Sequence, residues 1–243
     1  MLKSQLRLFI LLIFLLGNFS ISFSSFGFER ARLFKELHQA FVAEKEGQSI
    51  SALVAYNDLV NKMRAEIHHG NLKEAQISQA HYVIGMSYFG VARSLLQKDN
   101  LDSEDQQFIY MELLNARQYL SRSIYQSSSD PFLSSLQSTL PAGGPTAKHL
   151  SLALVCIYLG QTTEAIGEMQ KVINSSFNHP FAEELLRMMQ SDFGVQIQKL
   201  AEEARKESST RNNYAILSST KLGNYMVKNH LDLMDALIPQ TTK

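Results

Sequence analysis

Residues 149–172 read HLSLALVCIYLGQTTEAIGEMQKV. From Leu150 to Leu159 the run is apolar on nearly every face, Ser151 excepted. A helix that is apolar all round belongs inside a fold rather than at its surface. Leu152, Val155, Cys156 and Leu159 are therefore candidate core residues. Gly160 interrupts the pattern, so the stretch predicts two helices joined by a tight turn.

Working outward, no proline occurs between residues 29 and 125 and glycine is sparse there. Apolar residues recur at steps of three and four. Leu33, Leu37, Ala40 and Phe41 form one stripe. Leu53, Tyr56, Leu59, Val60 and Met63 form a second, and Ile109, Leu113, Ala116, Leu120 and Ile124 a third. These are the spacings of amphipathic helices. Gly47 breaks the first helix from the second, and Gly70-Asn71 ends the second after His68 and His69. Asp102 or Ser103 caps a later helix, with Glu104 and Asp105 in its first turn.

Residues 127–147 are rich in Ser, Pro and Gly and predict a long loop, with space for a short helix near Phe132–Leu136. Residues 181–207 and 213–237 read as a last helical pair, stopped by Pro239. Sustained period-two alternation is absent, so the expected class is all-α, an array of antiparallel helical hairpins over residues 29–238.

Residues 1–25 read as a secretory signal peptide. Lys3 and Arg7 precede an unbroken apolar run from Leu8 to Leu16, followed by Gly17, Asn18 and several serines. Nine apolar residues cover about half of a ~30 Å hydrocarbon core. The alternative is an uncleaved membrane anchor over residues 8–23. No cysteine follows the run, which argues against a lipoprotein anchor, and no later stretch has the length of a spanning helix. The expected location is periplasmic or extracellular.

The 243 residues carry 23 Lys+Arg against 23 Asp+Glu, and 45% are apolar. That composition supports a sizeable core and excludes a disordered polyelectrolyte. There is no basic excess to neutralise phosphates, so nucleic acid is not an expected partner. A single cysteine excludes a disulfide within the chain and a cysteine-built zinc site.

Helical hairpins in series call for a search for repeats. His149-x2-Leu152-Ala153-x2-Cys156, then Gly160, Ala165, Met169 and Val172, resembles the tetratricopeptide repeat. Ala40, Gly47, Ala52, Tyr56 and Leu59 hold the same relative spacing, and His81-x2-Ile84-Gly85-x2-Tyr88 matches the first-helix pattern. In the second copy Ala116 and Leu120 form the small–large pair of the second helix, after an insertion. The copies are irregularly spaced, and Glu36, His81 and His149 stand where the family has tryptophan.

The resemblance implies an α-solenoid whose first helices line a groove for a partner helix or peptide segment. The implied groove residues are Phe34, Leu37, Phe41 and Glu44, then Gln79, Tyr82, Met86 and Phe89, then Ala147, Leu150, Leu154 and Ile157. Missing caps would expose apolar edges, so the two C-terminal helices are expected to cap the array.

A search for chemistry yields little. His68 and His69 point about 100° apart on a helix and cannot easily share one metal. His81 and His149 are expected to pack at hairpin crossings. Cys156 has no basic neighbour within one turn and reads as a small hydrophobe. Glu183-Glu184 and Glu202-Glu203 read as solvated faces. Asn174-Ser175-Ser176 is a glycosylation sequon of use only in a eukaryote. No metal or cofactor is expected, and the chain is not expected to be an enzyme. The expectation is an exported adaptor or assembly factor that binds a protein. The alternatives are a membrane-anchored structural protein or a non-catalytic subunit of an envelope enzyme.

Overall fold

The computed structural model describes residues 32–70, 72–125, 144–174, 180–230 and 233. The expected signal peptide or anchor, most of the 127–147 loop and the region around Pro239 lie outside the described residues. Among those described, all regular structure is helical: α1 (residues 32–45), α2 (Ser49–His68), α3 (Glu74–Leu96), α4 (Ser103–Tyr125), α5 (Pro145–Tyr158), α6 (Thr162–Ile173), α7 (Pro180–Met189), α8 (Asp192–Glu207) and α9 (Arg211–His230).

The turns between hairpin partners follow from local chemistry. Gly47 and Gly160 adopt φ of +75° and +72°, in the left-handed region that side chains disfavour. Asp102 caps α4, its Oδ1 accepting from the Asp105 amide at 2.7 Å. The expected loop ends earlier than its composition implied: Gly144 precedes α5 and Pro145 sits in its first turn, where a missing N–H costs nothing.

The helix expected over residues 181–207 is two helices. α7 ends at Met189, and the Ser191 hydroxyl bonds the Met188 carbonyl at 2.8 Å. The first turn of α8 then lies so close to the end of α7 that a Cβ on Gly194 would stand 1.9 Å from the Met189 carbonyl oxygen. Only glycine permits that approach.

The apolar stripes face one core. In α2, Ala52, Tyr56, Leu59, Val60 and Met63 are buried, and in α4 Ile109, Leu113, Ala116 and Leu120 are. α3 is central: every residue from Ser78 to Leu96 is buried. α2 and α4 pack on it, α4 packs on α5, and α5 pairs with α6. α9 does more than stack on the end of the series. It packs against α8 and also against α3, α4 and α5, with Gly223 against Leu96 and Leu222 and Ser218 against Gly160.

Candidate functional site

The side chains expected to line a groove are core residues. Phe34, Leu37, Phe41, Gln79 and Tyr82 are at most 7% exposed, and so are Met86, Phe89, Leu150, Leu154 and Ile157. This corrects the expectation of an open first-helix surface. α3 and α5 present apolar groups on nearly every face, and the fold covers those faces with α2, α4, α6 and α9. Phe89 stacks edge-on against Tyr158 with ring centroids 4.9 Å apart, and Phe34 lies 6.0 Å from Tyr82. Ala147 is buried as well.

Glu44, the charged member of the expected groove, is completely buried in an ion pair. Arg93 donates from Nε to its Oε1 at 2.8 Å and from Nη2 to its Oε2 at 2.6 Å. The Tyr56 hydroxyl donates to Oε2 at 2.7 Å. The Arg93 guanidinium stacks over the Phe89 ring at 4.5 Å. The network joins α1, α2 and α3 and is closed to solvent, so it is a structural clamp rather than a reaction site.

A second buried cation, Lys148 of α5, donates to the Ser78 hydroxyl at 2.6 Å and to the Ser123 carbonyl at 3.1 Å. It ties α5 to α3 and α4.

A third constellation lies between α2, α3 and α4. Arg64 stacks over Tyr88 and Tyr119 at 5.5 and 5.7 Å, and Arg122 over Tyr119 at 5.4 Å. His81 packs edge-on against Tyr119 at 5.6 Å. Burial pushes the Glu112 carboxyl up to about 7, while Arg64 and a hydrogen bond from Asn115 hold it back.

Among the described residues a cleft of about 160 Å³ lies between α4, α5 and α6. Leu152 and Cys156 of α5 and Ile124 of α4 form its apolar part. Arg117 of α4 and Glu164 of α6 bring opposite charges to it. Glu168 and Lys171 of α6 complete the wall, and Tyr125 stands at the rim.

Glu168 is fully engaged. His149 Nδ1 lies 2.5 Å from its Oε2, and Lys171 Nζ donates to its Oε1 at 2.6 Å. Burial alone would raise the Glu168 carboxyl, but the bonds to His149 and Lys171 outweigh it and hold it below the usual value. Burial pushes the Cys156 thiol up to about 11, against the pull of Arg117. The thiol is thus protonated near neutrality and is no nucleophile.

Sequence reasoning missed this cleft. Arg117 and Cys156 are far apart in the chain, and their meeting depends on how α4 crosses α5. Glu164, Glu168 and Lys171 look like an ordinary solvated face. The one available signal was that His149 sits at the start of a buried helix, where an imidazole needs a polar partner.

Among the described residues no group of three or more His, Cys, Asp and Glu side chains is placed to hold a metal, and no helix is long and apolar enough to cross a membrane. Compared with models of known families, with characterised proteins and with solved structures, the chain finds no match in any of the three.

Proposed function

We propose that this chain is an exported helical-hairpin protein of tetratricopeptide-like build that works by holding another protein. Export rests on the pattern of residues 1–25. The repeat reading is supported by the small residues at its marked positions: Ala40, Ala52, Ala116, Ala153 and Ala165 are all buried where helices meet. Gly85 lies so close to Leu120 that a Cβ there would be 2.8 Å from the leucine Cγ. On this reading α1–α2, α3–α4 and α5–α6 are successive units of a solenoid.

The observation that carries the binding role is the outer face of α2 and α4. Ile50 and Val54 of α2 are 80% and 56% exposed, and Phe108 and Met111 of α4 are 51% and 48% exposed. Each pair lies one helical turn apart. Ser49 meets Gln97, and Lys98 meets Asp105, so both helices begin at the C-terminal end of α3. Large apolar groups gathered at one end of a fold are the kind of surface a protein partner covers.

The test is copurification from crosslinked cells with Ile50→Lys/Phe108→Lys as the comparison. A stoichiometric envelope or secreted protein, lost in the variant, supports the reading. An unchanged partner set, or no partner with either form, contradicts it.

A further inference from the structure

We propose that the outer face of α2 and α4 takes an amphipathic helix with segregated charges, Lys and Arg at one end and Asp and Glu at the other. This rests on the reading of that face as the partner surface, and it names the chemistry of the partner.

The exposed charged and large apolar side chains follow the same order on both helices. Along α2 the order is Glu46, Ile50, Val54, Arg64, with Glu46 in the turn before the helix. Along α4 it is Glu104, Phe108, Met111, Arg122. Each carboxylate stands 18 residues before its arginine, with the two apolar groups between. That is about five turns, so Glu104 and Arg122 share one side of α4 about 27 Å apart. Asp58, the one other exposed charge within those limits, lies about 120° round α2 from Arg64.

The two rows run side by side in one direction. Both begin at the C-terminal end of α3, where Ser49 meets Gln97 and Lys98 meets Asp105. At the far end Arg64 of α2 stacks over Tyr119 of α4. One end of the face is therefore acidic and the other basic. Exposed Asp99 and Asp102 add to the acidic end, against Lys45 and Lys98, and Lys98 is already paired with Asp105. At the basic end the Tyr119 ring lies under both guanidiniums, at 5.7 and 5.4 Å, and the residue also hydrogen-bonds Arg64. Glu112 draws on Arg64, but it is buried and its carboxyl, raised to about 7, is partly protonated near neutrality.

An extended segment would bring unpaired backbone groups, and two helices offer no strand edge to satisfy them. A helix satisfies its own. It also carries side chains at the same rise, so about 18 residues reach from one charged end to the other with apolar groups between. Its dipole favours acidic residues at the N-terminus and basic ones at the C-terminus, which sets it antiparallel to α2 and α4. Docking in the reverse sense would place like charges together.

The experiment titrates fluorescein-labelled peptides of about 20 residues with the purified full chain. One carries Glu at its N-terminal end, a Leu stripe, and Lys at its C-terminal end. The other has the same composition with Glu and Lys interspersed. Both are locked as helices by a staple opposite the Leu stripe. Fluorescence anisotropy should show the segregated peptide binding at least about tenfold tighter at about 50 mM NaCl, and less than about threefold tighter at about 500 mM.

Glu46→Lys/Glu104→Lys should erase that preference. Phe108→Lys should weaken both peptides at least about tenfold. All three side chains are exposed, so helical content and thermal midpoint should stay unchanged. Equal affinity for the two peptides, each lost with Phe108→Lys, would overturn the charge inference and leave the partner surface standing. Binding of neither peptide would overturn the inference, and copurification then decides the reading of the face on its own. A dimer of the chain in sedimentation, dispersed by Phe108→Lys, would overturn it as well, because the occupant would be a second copy.

Discussion

Arg93 closes both carboxylate oxygens of Glu44 in a two-point ion pair, at 2.8 and 2.6 Å, with both side chains sealed from water. Breaking such a pair from one side strands a buried charge, which costs about 3–5 kcal/mol. Glu44→Gln and Arg93→Met should each destabilise the fold by that order in urea unfolding. Replacing both, as Glu44→Leu/Arg93→Met, should cost less than the two single changes added together. Single-variant losses below about 1 kcal/mol would mean that the pair is worth no more than an exposed one.

Glu112 makes stability depend on pH. Its folded value is raised to about 7, against an unfolded value of about 4.3. Burial, the first cause, favours the protonated form, so the group's contribution is complete below the unfolded value. It declines as pH rises from about 4.3 to about 7, where the unfolded chain has released a proton that the folded chain still holds. Glu112→Gln should therefore be more stable than the parent above pH 7, with the gap closing towards pH 4. A gap that does not vary with pH would contradict the account.

Gly90 and Gly167 should respond to alanine with opposite signs. A Cβ on Gly90 would stand 2.2–2.5 Å from the Tyr56 ring, whose hydroxyl is committed to Glu44. Overpacking there should cost about 1–3 kcal/mol or more. Gly167 lies inside α6 with open space around the added carbon, so Gly167→Ala should gain up to about 1 kcal/mol from helix propensity. Thermal unfolding of the two variants checks both signs.

The export reading predicts a shortened chain. N-terminal sequencing of protein recovered from the envelope or medium should begin within or just after residues 18–25. A chain that still begins at Met1 and stays with the membrane fraction would favour the anchored alternative.

Much of the fold was readable because helical periodicity is local. The stripes through Tyr56–Met63 and Ile109–Leu120 face the core, and Gly47 and Gly160 turn the chain where their φ values require glycine. The break between α7 and α8 was not readable, because it depends on Gly194 meeting the Met189 carbonyl rather than on any breaker at residue 190.

The groove residues failed for a related reason. Apolar side chains on a first helix look alike whether they face a partner or the chain's own last helix, and here α9 reaches back onto α3 and α5. The cleft needed Arg117 and Cys156 brought together from separate hairpins, which no local spacing encodes.

The most direct test of the binding role is site-specific photo-crosslinking in cells. A photoreactive residue is placed at Phe108 on the outer face of α4, and at Val195 of α8, which is 64% exposed and outside that face. The account predicts one discrete crosslinked protein from position 108, absent from position 195 and lost with Ile50→Lys. Identical products from both positions, or none from position 108, would contradict it.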